Sequence, residues 1–201
     1  MSLDLYHHLA RPGAPDAPLV FAFHGTGGDE HQFTGLIGQI LPGAGIVAPR
    51  GDVSERGASR FFRRRAEGVY DMEDLRARTG RMTAFLRAHV QANPGRPVFA
   101  MGYSNGANIL ASVMFEASDL FDRVVLMHPL IPWTPREQPG LAGRQVLVTA
   151  GRRDPICPLP QTKALAGWLR AQGAALELVL SDGGHEITAP ELNAVAGFLR
   201  R

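Results

Sequence analysis

Ser104 stands between two glycines in Gly102-Tyr-Ser-Asn-Gly106. Before it runs Val98-Phe-Ala-Met101, apolar and of strand length; after it, Ala107, Leu110, Ala111 and Met114 recur at helical spacing. A strand, a sharp glycine-flanked turn and a helix are the context in which G-x-S-x-G forms a nucleophile elbow. The turn is too tight for side chains at 102 and 106, and it pushes the serine clear of the backbone. The N–H groups at the start of the helix favour negative charge developing beside Ser104. A serine hydroxyl is a weak nucleophile at pH 7 and needs a base within hydrogen-bond reach. Imidazole suits that duty, and a carboxylate must fix its tautomer and stabilise the imidazolium.

Candidates for those partners follow other apolar runs. Asp154 follows Gln145-Val-Leu-Val-Thr149, and His185 follows Leu176-Glu-Leu-Val-Leu180. His24-Gly-Thr-Gly-Gly28 follows Leu19-Val-Phe-Ala-Phe23, and His128 follows Arg123-Val-Val-Leu-Met127. Asp182, three residues before His185, rivals Asp154 as the acid, but its place in Ser181-Asp-Gly-Gly suits bonding within its own loop. Two readings are open for His128: a polar residue closing a strand, or a substrate contact. His24 reads as a structural hydrogen-bonding group, with a place in the substrate pocket as the alternative, and Cys157 as a small packing residue. His7, His8, His31 and His89 show no ligand spacing, so no metal site is expected.

The apolar runs that end at these residues are the elements that must position them. They are continuous rather than alternating, as in strands buried on both faces, and they alternate with helical patterns. The expected fold is therefore α/β, a three-layer α/β/α sandwich on a mainly parallel sheet of about seven strands, with no large cap domain. Its sites belong at the carboxyl edge of the sheet. Residues 3–9 suggest an edge strand. Asp29 is expected to cap a helix carrying Phe33, Ile37 and Ile40, and Asp71 to open a long helix ending at Asn93-Pro-Gly95. Pro160 suits a first helical turn, and Thr188-Ala-Pro-Glu191 matches a capping box. Arg50 to about Gly68 reads as a long loop. Within it, Arg60-Phe-Phe-Arg-Arg-Arg65 reads as solvated surface; alternatively Phe61 and Phe62 wall a pocket while the arginines face an anionic leaving group. Trp133, in the proline-rich loop after His128, either lines that pocket or covers the sheet edge.

Length and composition set the bounds. A chain of 201 residues, 45% hydrophobic and 20% charged, fits a single domain over residues 1–201 with a substantial core. A net charge of +2 is too mild to imply nucleic acid. The N-terminal stretch lacks the pattern of a signal peptide, no apolar run is long enough to cross a membrane, and a single cysteine suits a reducing compartment, so a cytoplasmic location is expected.

The order Ser104, Asp154, His185 is that of α/β-hydrolases. The chain resembles the carboxylesterase/phospholipase family of α/β-hydrolases, which includes the acyl-protein thioesterases. The matching pieces are His24-Gly-Thr-Gly-Gly-Asp-Glu30, Gly102-Tyr-Ser-Asn-Gly106, Gly151-Arg-Arg-Asp-Pro-Ile-Cys-Pro158 and Gly183-Gly-His-Glu186. The segment Arg60-Phe-Phe to Tyr70-Asp71 is similar to a small bacterial branch of that family. The resemblance implies Ser104 as nucleophile, Asp154 as acid, His185 as base, and an oxyanion hole from the backbone N–H groups of Thr26 and Asn105. It also implies a cofactor-free enzyme acting on small carboxylic esters or thioesters, with a homodimer as the assembly to expect. Two other functions compete: dienelactone-type or perhydrolase activity on the same triad, and a non-catalytic binding module on the same fold.

Overall fold

The computed structural model describes residues 2–201. Strand β1 (His8–Arg11) leads into β2 (Leu19–Phe23), helix α1 (Thr34–Ile40) and β3 (Gly45–Pro49). Two small hairpins follow, β4 (Val53–Glu55) with β5 (Ala58–Arg60) and β6 (Arg64–Ala66) with β7 (Val69–Tyr70). Then come α2 (Met72–Gln91), β8 (Val98–Tyr103), α3 (Asn105–Glu116), β9 (Arg123–Met127), β10 (Gln145–Gly151), α4 (Leu159–Ala171), β11 (Ala175–Ser181) and α5 (Ala189–Arg200).

Seven strands form one sheet in the order β1-β3-β2-β8-β9-β10-β11. Only β1 runs antiparallel to its neighbour; β3 through β11 pair in parallel. The β2 strand is buried at all five positions, which explains its unbroken apolar run. Side chains alternate between two cores. Phe21, Phe23, Ala100, Leu126 and Val148 meet α2, α3 and α4, while Val20, Ala22, Met101, Val125 and Leu147 meet α1 and α5. The expected three-layer sandwich is what forms.

Several boundaries differ from expectation. The edge strand starts at His8, because Leu5 and Tyr6 turn inward and the Tyr6 ring packs edge-on against Phe85, centroids 5.4 Å apart. Asp29 does not cap α1: its carboxylate accepts from the His31 N–H, and the helix begins five residues later with Phe33 at the cap position. The intervening residues brace neighbouring loops instead, with the Gln32 side chain accepting from the Gly25 N–H and Glu30 pairing with Arg50. The expected loop from Arg50 to Gly68 is two hairpins. Arg56 and Gly57 both take positive φ (52° and 86°), the two-residue turn geometry that matches strand twist. Asp71 caps α2 as expected, accepting from the Asp74 N–H, and Thr188 and Glu191 form the capping box of α5.

Candidate active site

The parallel strands end along one edge of the sheet, and the winding reverses between β2 and β8. Such a switch point opens a crevice between loops that leave in opposite directions. Thr26 follows β2 on one side, and Ser104 and Asn105 follow β8 on the other. Ser104 has φ 52° and ψ −118°, a conformation that β8 and α3 impose together. The flanking glycines are sterically required. A Cβ on Gly102 would stand 2.6 Å from the Gly106 carbonyl oxygen, and one on Gly106 would stand 2.4 Å from the carbonyl oxygens of Phe23 and His24.

His185 reaches Ser104 from the loop after β11. Its Nε2 lies 2.9 Å from Ser104 Oγ, and its Nδ1 lies 2.7 Å from Asp154 Oδ2. An ionised carboxylate only accepts, so Nδ1 carries the proton and Nε2 is left to accept from the serine hydroxyl. Asp154 Oδ1 is filled by the N–H groups of Ile156 and Cys157, both at 2.8 Å. Burial pushes the Asp154 pKa up, but the Cys157 N–H and the two histidines outweigh it and hold the carboxyl below its usual range. Asp182 is not part of this arrangement; its side chain is 90% exposed and pairs with Arg152.

A pocket of about 250 Å³ opens above Ser104, walled among others by Thr26, Arg60, Tyr70, Tyr103, Leu130 and His185. Among the described residues, the backbone N–H groups of Thr26 and Asn105 have no hydrogen-bond partner, so both are available to a ligand. Asn105 is pinned because its Oδ1 accepts from the Phe61 N–H at 2.7 Å. Tyr103 donates its hydroxyl to the His185 carbonyl at 2.6 Å, bracing the loop that carries the imidazole.

Other expectations for the pocket are corrected. Phe61 and Phe62 are 1% and 0% exposed and pack on Phe23 and Tyr70, so they are core rather than pocket wall. Arg60 is not solvated surface: it is 3% exposed and donates to Thr26 Oγ1 at 2.7 Å. Arg60 and Arg64 reach the pocket, where Arg60 pairs with Glu55 and Arg64 with Glu55 and Glu67. His24 does not reach the pocket; its Nδ1 meets the Gly25 carbonyl and its Nε2 accepts from the Gly51 N–H. Trp133 lines a separate groove between α2, α3 and its own loop. His128 closes β9, as one reading has it, and is fully buried between Asp154 and Glu191, so it makes no substrate contact.

His128, Asp154 and His185 form a ligand-type cluster with atoms within 4.8 Å. Both imidazoles converge on one carboxylate oxygen at 2.7 and 2.9 Å. Those are hydrogen-bond separations, and an ion holding its nitrogen ligands at about 2.0–2.1 Å would need them farther apart.

The sequence pattern of the dienelactone hydrolase family matches residues 5–193. The chain belongs to that family. This family member is 41% identical to MhqD of Bacillus subtilis (strain 168), which carries a provisional hydrolase name, over 92% of each chain. It is 33% identical to the Bacillus cereus carboxylesterase, whose structure superposes with a TM-score of 0.93 over 98% of this chain and 94% of the other. A protein of unknown function from Agrobacterium tumefaciens str. C58 is 52% identical, also at TM-score 0.93, with coverage of 100% and 98%. The α/β-hydrolase fold and the carboxylesterase likeness expected from the motifs hold, and the protein is a hydrolase of that type.

Proposed function

We propose that this hydrolase cleaves small carboxylic esters or thioesters through an acyl-enzyme on Ser104. The observation that carries this is the hydrogen-bonded line from Ser104 Oγ through His185 to Asp154, at 2.9 and 2.7 Å, facing a pocket. His185 takes the hydroxyl proton as Ser104 Oγ attacks the carbonyl carbon. The oxyanion forms within reach of the Thr26 and Asn105 N–H groups, each donor worth about 3 kcal/mol at the transition state. Protonated His185 gives its proton to the departing alcohol or thiol. It then activates a water that releases the acid and restores the serine.

A pocket of about 250 Å³ lies below the range typical of drug-sized ligands, which favours short acyl groups. A lactone is a cyclic ester opened by the same steps, so the dienelactone-type alternative differs in substrate and not in machinery.

A fluorophosphonate probe tests the reading. It should label wild type and fail to label Ser104→Ala; wild type left unlabelled would leave a binding module on this fold. Across p-nitrophenyl esters from acetate to decanoate, kcat/KM should fall steeply beyond short chains.

A further inference from the structure

His128 is the second imidazole at the sheet edge, and the mechanism above does not use it. It closes β9 with φ 50°; among the described residues only Arg56, in a hairpin turn, and Ser104 share positive φ without being glycine. Holding a side chain there strains the backbone. The kink lets the His128 N–H donate to the Thr149 carbonyl at 2.8 Å while the ring turns under Asp154.

There Nδ1 lies 2.9 Å from Asp154 Oδ2, the same oxygen that holds His185. A carboxylate only accepts, so His128 Nδ1 carries a proton. On the other side, His128 Nε2 lies 2.9 Å from Glu191 Oε1, both side chains being 0% exposed. The approach is oblique, and neither atom has an aligned hydrogen bond elsewhere. Glu191 Oε2 is already taken by the N–H and hydroxyl of Thr188. A bare ring nitrogen and a bare carboxylate oxygen this close would repel, so a proton lies between them.

We propose that His128 is a buried imidazolium bridging Asp154 and Glu191, a positioning residue that fixes the Asp154 carboxylate and takes up part of its charge. The proposal rests on the roles given above to Ser104, His185 and Asp154, and it extends them into a line of five groups. The titratable groups facing His128 are Asp154, Glu191, His185, Tyr103, Cys157 and Glu186. Burial disfavours charge on His128, but the bonds to Glu191 and Asp154 outweigh it and raise its pKa. Burial likewise opposes the Glu191 carboxylate, yet His128 and Thr188 bring it down to about 2. An imidazolium already resting on Asp154 leaves less negative charge to hold the proton that the base takes from serine.

Glu191→Gln isolates this effect. Gln can still complete the capping box with Thr188, and its amide can donate to a neutral His128 Nε2. Long-range ¹H–¹⁵N spectra of the histidine rings, recorded from about pH 6 to 9, should show one of the seven histidines doubly protonated throughout in wild type. In Glu191→Gln that ring should become neutral with its proton on Nδ1. With p-nitrophenyl acetate, the acidic limb of kcat/KM should move up by about 0.5–1 pH unit in Glu191→Gln. A wild-type spectrum in which every ring titrates normally overturns the imidazolium. An acidic limb that stays in place overturns its part in the reaction. The ring spectrum is independent of turnover and can be read in Ser104→Ala, so loss of the hydrolase reading would appear separately, as wild type that no fluorophosphonate labels.

Discussion

Asp154 receives four hydrogen bonds, from the backbone of Ile156 and Cys157 and from the rings of His185 and His128. A group so fully engaged is fixed in direction, and its removal should be felt mainly at the transition state. Asp154→Asn should lower kcat by about 10³–10⁴-fold, because an amide can force the wrong tautomer on His185. Asp182→Asn, at a solvated site, should stay within about twofold. Steady-state kinetics of the two variants separates them. Tyr103→Phe removes the donor to the His185 carbonyl, and kcat/KM should fall about 3–10-fold with little change in melting temperature. At this scale the meeting of Ser104, Asp154 and His185 was legible, because each follows an apolar run. His128 was visible as a strand-end histidine, but its partner Glu191 belongs to a helix cap 63 residues on, and no local pattern joins them. Phe61 and Phe62 misled because two aromatics inside an arginine run look like surface, whereas the hairpins fold them inward.

Local chemistry marks elements well where one segment supplies both the signal and its answer. The elbow, the Asp71 cap and the Thr188–Glu191 capping box are of that kind. The Asp29 cap failed because its segment serves distant loops through Gln32 and Glu30. The hairpins between β3 and α2 escaped notice because strands of two or three residues carry no periodicity. The elbow gives a sharp prediction. In Gly106→Ala the new methyl meets two backbone carbonyls at 2.4 Å, and backbone cannot step aside as a flexible side chain can. The variant should lose about 2–4 kcal/mol in denaturant unfolding and lose fluorophosphonate labelling with it. Gly35→Ala in α1, where an added Cβ meets nothing within 4 Å, is the matched control and should fold as wild type.

Over the whole molecule, buried carboxylates tie the layers together and set acid tolerance. Glu30 accepts from Arg50 across the loops after β2 and β3, and that bond outweighs burial to hold its pKa at about 2. A depressed carboxylate contributes stability that is present above its unfolded value of 4.5 and lost as pH falls through its folded one. Glu30→Gln should therefore cost about 1–2 kcal/mol at pH 7, with Arg50 half in solvent moderating the loss. The gap from wild type should close between about pH 4.5 and 2, as followed by urea titration at each pH. No helix among the described residues is long and apolar enough to cross a membrane.

The sheet order carries a temporal consequence. Ser104 and His185 stand 81 positions apart, and His185 and Glu191 arrive only with the last strand and helix. Contacts this distant along a chain close late, after local helices and neighbouring strands have paid their entropy. During refolding from urea, native-like tryptophan emission should therefore return before the serine becomes reactive to a fluorophosphonate, so that the molecule acquires its shape before its chemistry.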